Sequence, residues 1–224
     1  MKDIYIFIMK RFKCQTEIFL LADKKSSSKS RRKSGSSSKS GSKSKSGSQN
    51  KRHSKNKYTP EIERFRDAYQ YGITANAIKK RGNDTFKFHI RGDSWTAANQ
   101  EIVFNKQKKL HYMWYIFPQP RPNISRLSQT SQYFHISDEE VILFLNDKYL
   151  LENLSYAVQN LVTYHNDNPV TLKRFFELNG DDVKFSSFRR KFLEILRKID
   201  RNKNQELQNL YDNLKLLKMP YDKK

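Results

Sequence analysis

The sequence predicts an all-α protein, in which a strongly basic, disordered tail precedes a single compact helical domain of about six helices. Three observations support this prediction. Apolar residues recur at spacings of three and four over most of the chain after residue 58. The glycine-rich motifs and the strand–helix alternation of nucleotide-binding folds are absent. Residues 23–57 are rich in Ser, Lys, Arg and Gly and contain no aliphatic or aromatic residue that could build a core.

The first helix signals lie just after the tail. Thr59 is in position to cap a helix that has Pro60 at its first position, where a missing N–H costs nothing, and Gly72 is predicted to end it. Residues 73–93 contain turn formers and alternating aromatic residues, a pattern compatible with a small hairpin. Ser94 is predicted to begin the second helix.

Further helical segments follow in the second half of the chain. Ser137 has the spacing of a capping box, and the apolar repeat after it continues to about His165. Pro169 interrupts the chain before a short amphipathic turn that Asn179–Gly180 closes. Asp181 is predicted to cap a long helix with an apolar inner face. The last helix carries Leu207, Leu210, Leu214 and Leu217.

The densest apolar stretch reads H-Y-M-W-Y-I-F-P-Q from His111 to Gln119. Leaving so many aromatic and aliphatic side chains in water would cost several kcal/mol, at about 25 cal/mol per Å² of apolar surface. We therefore predict that this segment is the centre of the core.

Composition limits the class of partner and of site. The chain has 224 residues, with 44 Lys and Arg against 23 Asp and Glu, which gives a formal charge of +21. Such a charge attracts polyanions, of which nucleic acid is the most common. The single cysteine, Cys14, excludes an intramolecular disulfide, and no His/Cys cluster has the spacing of metal ligands. We expect neither a metal site nor a cofactor.

Residues 1–22 hold two apolar stretches that Lys10, Arg11 and Lys13 separate. These stretches are too short for a membrane span, and the early charges are not typical of a signal peptide. The segment is expected to be a short strand or amphipathic segment packed on the domain, or an upstream extension without a structural role. We expect an intracellular protein, cytoplasmic or nuclear, that is not secreted and has no membrane span.

The tail, residues 23–57, has 13 Lys or Arg and one Asp, so that +12 of the net charge lies there. One interpretation is weak, salt-sensitive and sequence-independent contact with nucleic acid. The other is a flexible, solubilising linker, and composition does not decide between them. The residues that would contact a polyanion are Lys24, Lys25, Lys29, Arg31, Arg32, Lys33, Lys39, Lys43, Lys45, Lys51 and Arg52.

Four segments in the same order resemble a known family. Residues 111–119 are similar to the S-H-W-M-W-F-I-F-P-Q core of small bacterial proteins catalogued as domain of unknown function eighteen-ten, some of which carry the label calpastatin. Residues 64–68, 133–145 and 181–187 resemble that family's R-F-x-D-A, Y-x-I-x-S-x-x-E-A-x-x-Y-L and D-D-x-K-x-x-S-S segments. The resemblance covers roughly residues 60–200 of a domain that spans 58–224. It implies a compact helical fold of about 150 residues and no particular reaction.

The chain departs from this family pattern in places. Tyr112 stands where the family has the first tryptophan of its core, and the segment 120–127 replaces a glycine-rich one. Residues 73–93 are an additional insertion.

The polar and aromatic residues of the matching blocks define a candidate ligand site. With His111 as acid or base and Trp114 as a stacking wall, such a site would suit a nucleotide-like or ADP-ribose-like ligand. In the alternative interpretation, His111 and Gln119 satisfy backbone groups, and Asp182 and Lys184 cap and decorate a helix. The candidate residues are Asp67, His111, Trp114, Gln119, Asp182, Lys184 and Ser186.

Three functional hypotheses follow. The first is a non-catalytic helical binding module for a protein or small ligand, with a tail that contacts nucleic acid. The second is an enzyme with a small-molecule pocket around His111 and Gln119. The third is a structural or packaging protein of a large DNA virus, present in the virion, whose basic tail neutralises packaged nucleic acid.

Overall fold

Four stretches of the chain are described by the computed structural model: residues 61–120, 128–166, 169–202 and 204–220. Two predictions concern residues outside these stretches, namely the N-terminal segment 1–22 and the tail 23–57. The prediction that Thr59 caps the first helix and Pro60 opens it is wrong, because that helix begins at Glu63 with Ile62 at the N-cap position.

The described residues form nine α-helices and one two-stranded antiparallel sheet, so the predicted helical fold class is confirmed. The helices outnumber the predicted six partly because three of them have only four to seven residues. The elements are α1 Glu63–Tyr71, β1 Ile78–Arg81, β2 Asp84–Lys87, α2 Trp95–Phe104, α3 Met113–Ile116, α4 Gln129–Phe134, α5 Asp138–Asn146, α6 Lys148–His165, α7 Pro169–Phe175, α8 Asp181–Lys198 and α9 Gln205–Leu216.

The helical stretch predicted from Ser137 to His165 is divided into two helices at Asp147. The predicted capping box is present, because the Ser137 side chain accepts the Glu140 N–H and the Glu140 carboxylate accepts the Ser137 N–H. Asp147 has extended backbone angles, and its carboxylate accepts the N–H of Leu150 at 3.0 Å. A second N-cap therefore stands inside the apolar repeat.

The predicted hairpin is present. Helix α1 ends at Gly72, as predicted, with φ at 70°, and a Cβ at that position would collide with the carbonyl oxygen of Gly92. Ile73 pairs with Gly92 through two backbone hydrogen bonds of 2.9 Å. Strands β1 and β2 then pair in the register Ile78↔Lys87 to Arg81↔Asp84.

The segment 111–119 lies in the centre of the core, as predicted. Tyr112, Tyr115, Ile116 and Phe117 have no exposed surface. The Phe117 ring lies 5.3 Å from the rings of two phenylalanines of α8 and 5.9 Å from the ring of Phe176, which follows α7. Helix α6 packs against α2, α5, α7 and α9. None of the helices in the described stretches is long and apolar enough to cross a membrane.

A buried ionic cluster joins α1, β1 and α5. The Glu140 carboxylate accepts hydrogen bonds from Arg64 at 2.8 and 2.9 Å and from Arg81 at 3.0 and 3.1 Å. The three side chains are 1–2% exposed. Arg64 also donates to the carbonyl of His135 at 3.0 Å. One carboxylate thus holds two guanidinium groups and also completes the capping box, so three parts of the chain depend on it.

Candidate ligand-binding pocket

Two side chains of the core segment lie at its outer edge. His111 and Trp114 are half-buried, whereas their neighbours Tyr112 and Met113 are buried. The backbone fixes this arrangement, because the His111 N–H donates to the Asp93 carboxylate at 2.8 Å and its carbonyl accepts from the Tyr115 hydroxyl at 2.8 Å. The segment therefore buries one side in the core and presents His111 and Trp114 on the other.

A pair of lysines bridged by one carboxylate lies beside them. The Asp181 carboxylate is 2.5 Å from Nζ of Lys108 and 2.6 Å from Nζ of Lys184. Lys108 and Asp181 are buried, and Lys184 is 28% exposed. Lys184 Nζ also donates to the carbonyl of Asn179 at 3.1 Å and lies 5.5 Å from the centre of the Trp114 ring. The lysines outnumber the carboxylate, so this wall carries a net positive charge.

Asp181 does not cap α8 as predicted. Gly180 occupies the N-cap position, with φ at 65°, and no side chain caps the helix there. Asp181 is the first helical residue, and its carboxylate is used for the two lysines. A negative charge in the first turn remains favourable for the helix dipole.

These groups line one pocket of about 250 Å³. The pocket brings together His111, Trp114 and Lys184, which are three of the predicted site residues. The complete lining is Ile90, Lys108, His111, Met113, Trp114, Asn179, Asp181 and Lys184.

The four other predicted site residues lie elsewhere. Gln119 donates its side-chain amide to the carbonyl of Met113 at 3.3 Å, a structural role at the end of the core segment. Asp182 is half-buried and Ser186 is buried; both lie on α8 but do not line the pocket. Asp67 is exposed, 3.9 Å from Lys79, and lines a different pocket of about 300 Å³ between α1, the hairpin and α4.

Lys108 and Asp181 are pocket residues that sequence reasoning did not select. They are 73 residues apart in the chain, and neither belongs to a motif with a defined spacing to the other. One signal was available for Asp181, because it opens the D-D-V-K segment that resembles the family. Lys108 stood in a basic stretch without any distinguishing feature.

The pocket chemistry suits an anion joined to a flat ring. A lysine ammonium has three donors, and Asp181 and Asn179 accept two of those of Lys184. The third donor and the half-buried imidazole of His111 remain for a ligand, and Trp114 supplies a ring face. In the described stretches, no group of three or more His, Cys, Asp or Glu residues could hold a metal ion.

The fold and the pocket define a helical domain with a small pocket lined by polar and aromatic side chains. The family model described as protein of unknown function (DUF1810) matches residues 86–216, and the chain belongs to this family. The match includes the segments 111–119, 133–145 and 181–187 and begins after the segment 64–68. Comparison with curated proteins and with solved structures gives no match.

Proposed function

We propose that the helical domain is a non-catalytic binding module, whose pocket takes a small anionic ligand with a planar ring, such as a nucleotide. The observation that carries this proposal is the convergence of two family-like segments. His111 and Trp114 come from the first, and Asp181 and Lys184 come from the second, 70 residues further along the chain. Three of the seven residues that the sequence selected, His111, Trp114 and Lys184, thus line one cavity.

The pocket dimensions limit the ligand. Pockets that enclose drug-sized ligands usually have volumes of about 300–1,000 Å³. A pocket of about 250 Å³ suits one ring and an adjoining anionic group, with the rest of a larger ligand in solvent. The ring would contact Trp114, and the anion would contact Lys184 and His111.

Binding is favoured over nucleophilic catalysis because both lysines of the pocket form ion pairs with Asp181, and a protonated lysine or a paired carboxylate is a poor nucleophile. The competing hypothesis is an enzyme that uses His111 as a general acid or base. In that case His111→Ala would abolish turnover of a ligand that still binds, and the melting temperature would change little. Turnover that survives this substitution excludes the role of acid or base.

Ligand binding should be visible as thermal stabilisation of the full chain in a screen of nucleosides, nucleotides and nucleotide sugars. A ligand at about 100 times its Kd stabilises by about 2.7 kcal/mol, or about 5–10 °C in a protein of this size. Trp114→Ala should remove this shift. Tyr164→Ala, which truncates an aromatic residue outside the pocket that is 38% exposed, should retain it. A shift that persists in Trp114→Ala contradicts the proposed pocket.

The anion contact has its own test within the same screen. Wild-type protein should bind a nucleotide more tightly than the matching nucleoside because only the nucleotide carries phosphate. Lys184→Gln should abolish this preference and leave nucleoside affinity nearly unchanged. An equal loss of affinity for both ligands would assign Lys184 a structural role through Asp181.

For the tail, we propose contact with nucleic acid. The supporting observation is the charge of +12 over residues 23–57, without an acidic residue after Asp23. Deleting residues 23–57 should remove most of a steeply salt-dependent affinity for DNA or RNA, measured by fluorescence anisotropy across a salt series. An unchanged affinity would leave the tail as a linker. A viral packaging role requires the protein in purified particles, which proteomics would detect.

A further inference from the structure

The hairpin has two faces of different character. Residues that pair across an antiparallel ladder lie on the same face, and the faces alternate along each strand. The pairs Lys79↔Phe86 and Arg81↔Asp84 share the inner face, where Phe86 and Arg81 are buried. The pairs Ile78↔Lys87 and Lys80↔Thr85 share the outer face, where all four residues are exposed.

The outer face is basic, and further exposed basic residues follow it in the chain. Lys80 and Lys87 are diagonal neighbours across the two strands, about 7–8 Å apart for this register. His89 and Arg91 follow β2 and are also exposed. Among the described residues, none of Lys80, Lys87 and Arg91 forms an ion pair.

The acidic residues of the hairpin are directed to other partners. Asp84 lies opposite Arg81 on the inner face. The carboxylate of Asp93 accepts the backbone N–H of His111. The outer face and the exposed residues that follow it in the chain therefore combine two lysines, one arginine and one histidine with Ile78 and Thr85, and no carboxylate is among them.

We propose that this outer face is a nucleic-acid contact surface that binds the phosphate backbone of a duplex. A two-stranded ribbon is narrow enough to enter a major groove or to lie along a backbone. The face carries no Trp, Tyr or Phe on which unpaired bases would stack, so single strands gain little from it. The contact is separate from the tail and from the ligand pocket, because these residues belong to the folded domain and none of them lines the pocket.

The geometry also predicts non-specific binding. Lysine side chains act on phosphates as point charges without reading base identity. The hairpin would therefore hold a duplex regardless of sequence and add a fixed, oriented contact to the diffuse attraction of the tail.

The test is duplex binding by the full chain carrying Lys80→Gln, Lys87→Gln and Arg91→Gln. The slope of log K against log salt is negative, and each lost phosphate contact should reduce its magnitude by about 1. The triple variant should therefore reduce the magnitude by about 3. Affinity should fall equally for duplexes of unrelated sequence. The melting temperature should stay close to wild type because the three side chains are exposed.

The matched control is Lys148→Gln, Lys173→Gln and Arg190→Gln in the full chain, which removes the same charges from exposed helix positions. This control should change the salt slope by less than about 1. Equal effects of the two triple variants would mean general attraction to a basic protein and would overturn the proposal. An unchanged salt slope in the hairpin variant would also overturn the proposal. The same holds if the variant loses affinity only for single strands or only for anionic vesicles. The deletion of residues 23–57 tests the tail contact independently, so the two proposals can fail separately.

Discussion

Replacing Glu140 with Gln is expected to destabilise the fold by about 3–5 kcal/mol, because it leaves two buried guanidinium groups without a counter-charge. Arg64 and Arg81 are both 2% exposed on their side chains and cannot reach water without breaking the packing around them. The substitution also weakens the capping box of α5, since a neutral amide is a poorer acceptor than a carboxylate for the Ser137 N–H. Chemical denaturation measures the loss.

The control for this prediction is Glu152→Gln. Glu152 also lies on a helix, but it is 43% exposed and its partner Lys148 is 4.0 Å away. Exposed pairs of this kind contribute about 0–1 kcal/mol. A loss below about 1 kcal/mol for Glu140→Gln, similar to that of the control, would show that the buried cluster does not hold the three segments together.

The same cluster predicts a pH dependence. Burial alone would raise the pKa of Glu140, but the hydrogen bond from Arg64 and the charges of both arginines outweigh it and hold that pKa below 4.5. A carboxyl group with a lowered pKa in the folded state stabilises the fold above its unfolded pKa. This contribution is lost as the pH falls below about 4.5. In Glu140→Gln, the free energy of unfolding should therefore depend less on pH below about 4.5.

His135 makes the stability of the fold depend on pH in a higher range. Burial and the charge of Arg81 lower its pKa from 6.5 to about 4. The unfolded chain thus binds more protons between these values, and stability falls as the pH is lowered from 6.5 towards 4. The charge of Glu140 raises the pKa of His135, so Glu140→Gln should keep this pH dependence and extend it to lower pH.

The sequence predicts those parts of the fold that depend on neighbours along the chain. The capping box at Ser137 and the end of α1 at Gly72 are local signals, and both are correct. The pairing of Glu140 with Arg64 and Arg81 is not local, because the partners lie 76 and 59 residues away. From sequence alone, the capping box accounts for Glu140 completely, and nothing indicates its second role.

The candidate site was predictable in part for the same reason. Similarity to a family segment selects a stretch of helix, but the phase of that helix decides which residue faces the cavity. Successive residues are rotated by about 100° around a helix axis. Asp181 and Lys184 lie one turn apart and share the pocket, whereas Asp182 and Ser186, which are also one turn apart, lie on another side of α8 and do not line it. That phase depends on how α8 packs against the core segment, which no local pattern contains.

Phe117→Ala is expected to cost about 3–5 kcal/mol of unfolding free energy, since it removes a large buried ring and leaves a cavity. The Phe117 ring has no exposed surface and contacts the rings of Tyr112, Phe176, Phe185 and Phe188. These partners come from three separate parts of the chain, so the surrounding structure has little freedom to collapse into the space. Thermal and urea denaturation measure the effect.

Phe104→Ala is the matched control, because Phe104 ends α2 with 69% of its surface exposed and should cost less than about 0.5 kcal/mol. Phe117→Leu extends the test to a variant that retains most of the apolar contacts, and its loss should fall between the other two. If Phe117→Ala cost no more than Phe104→Ala, the segment 111–119 would not be the centre of the core. His111 and Trp114 would then lack the rigid support that a preorganised ligand pocket requires.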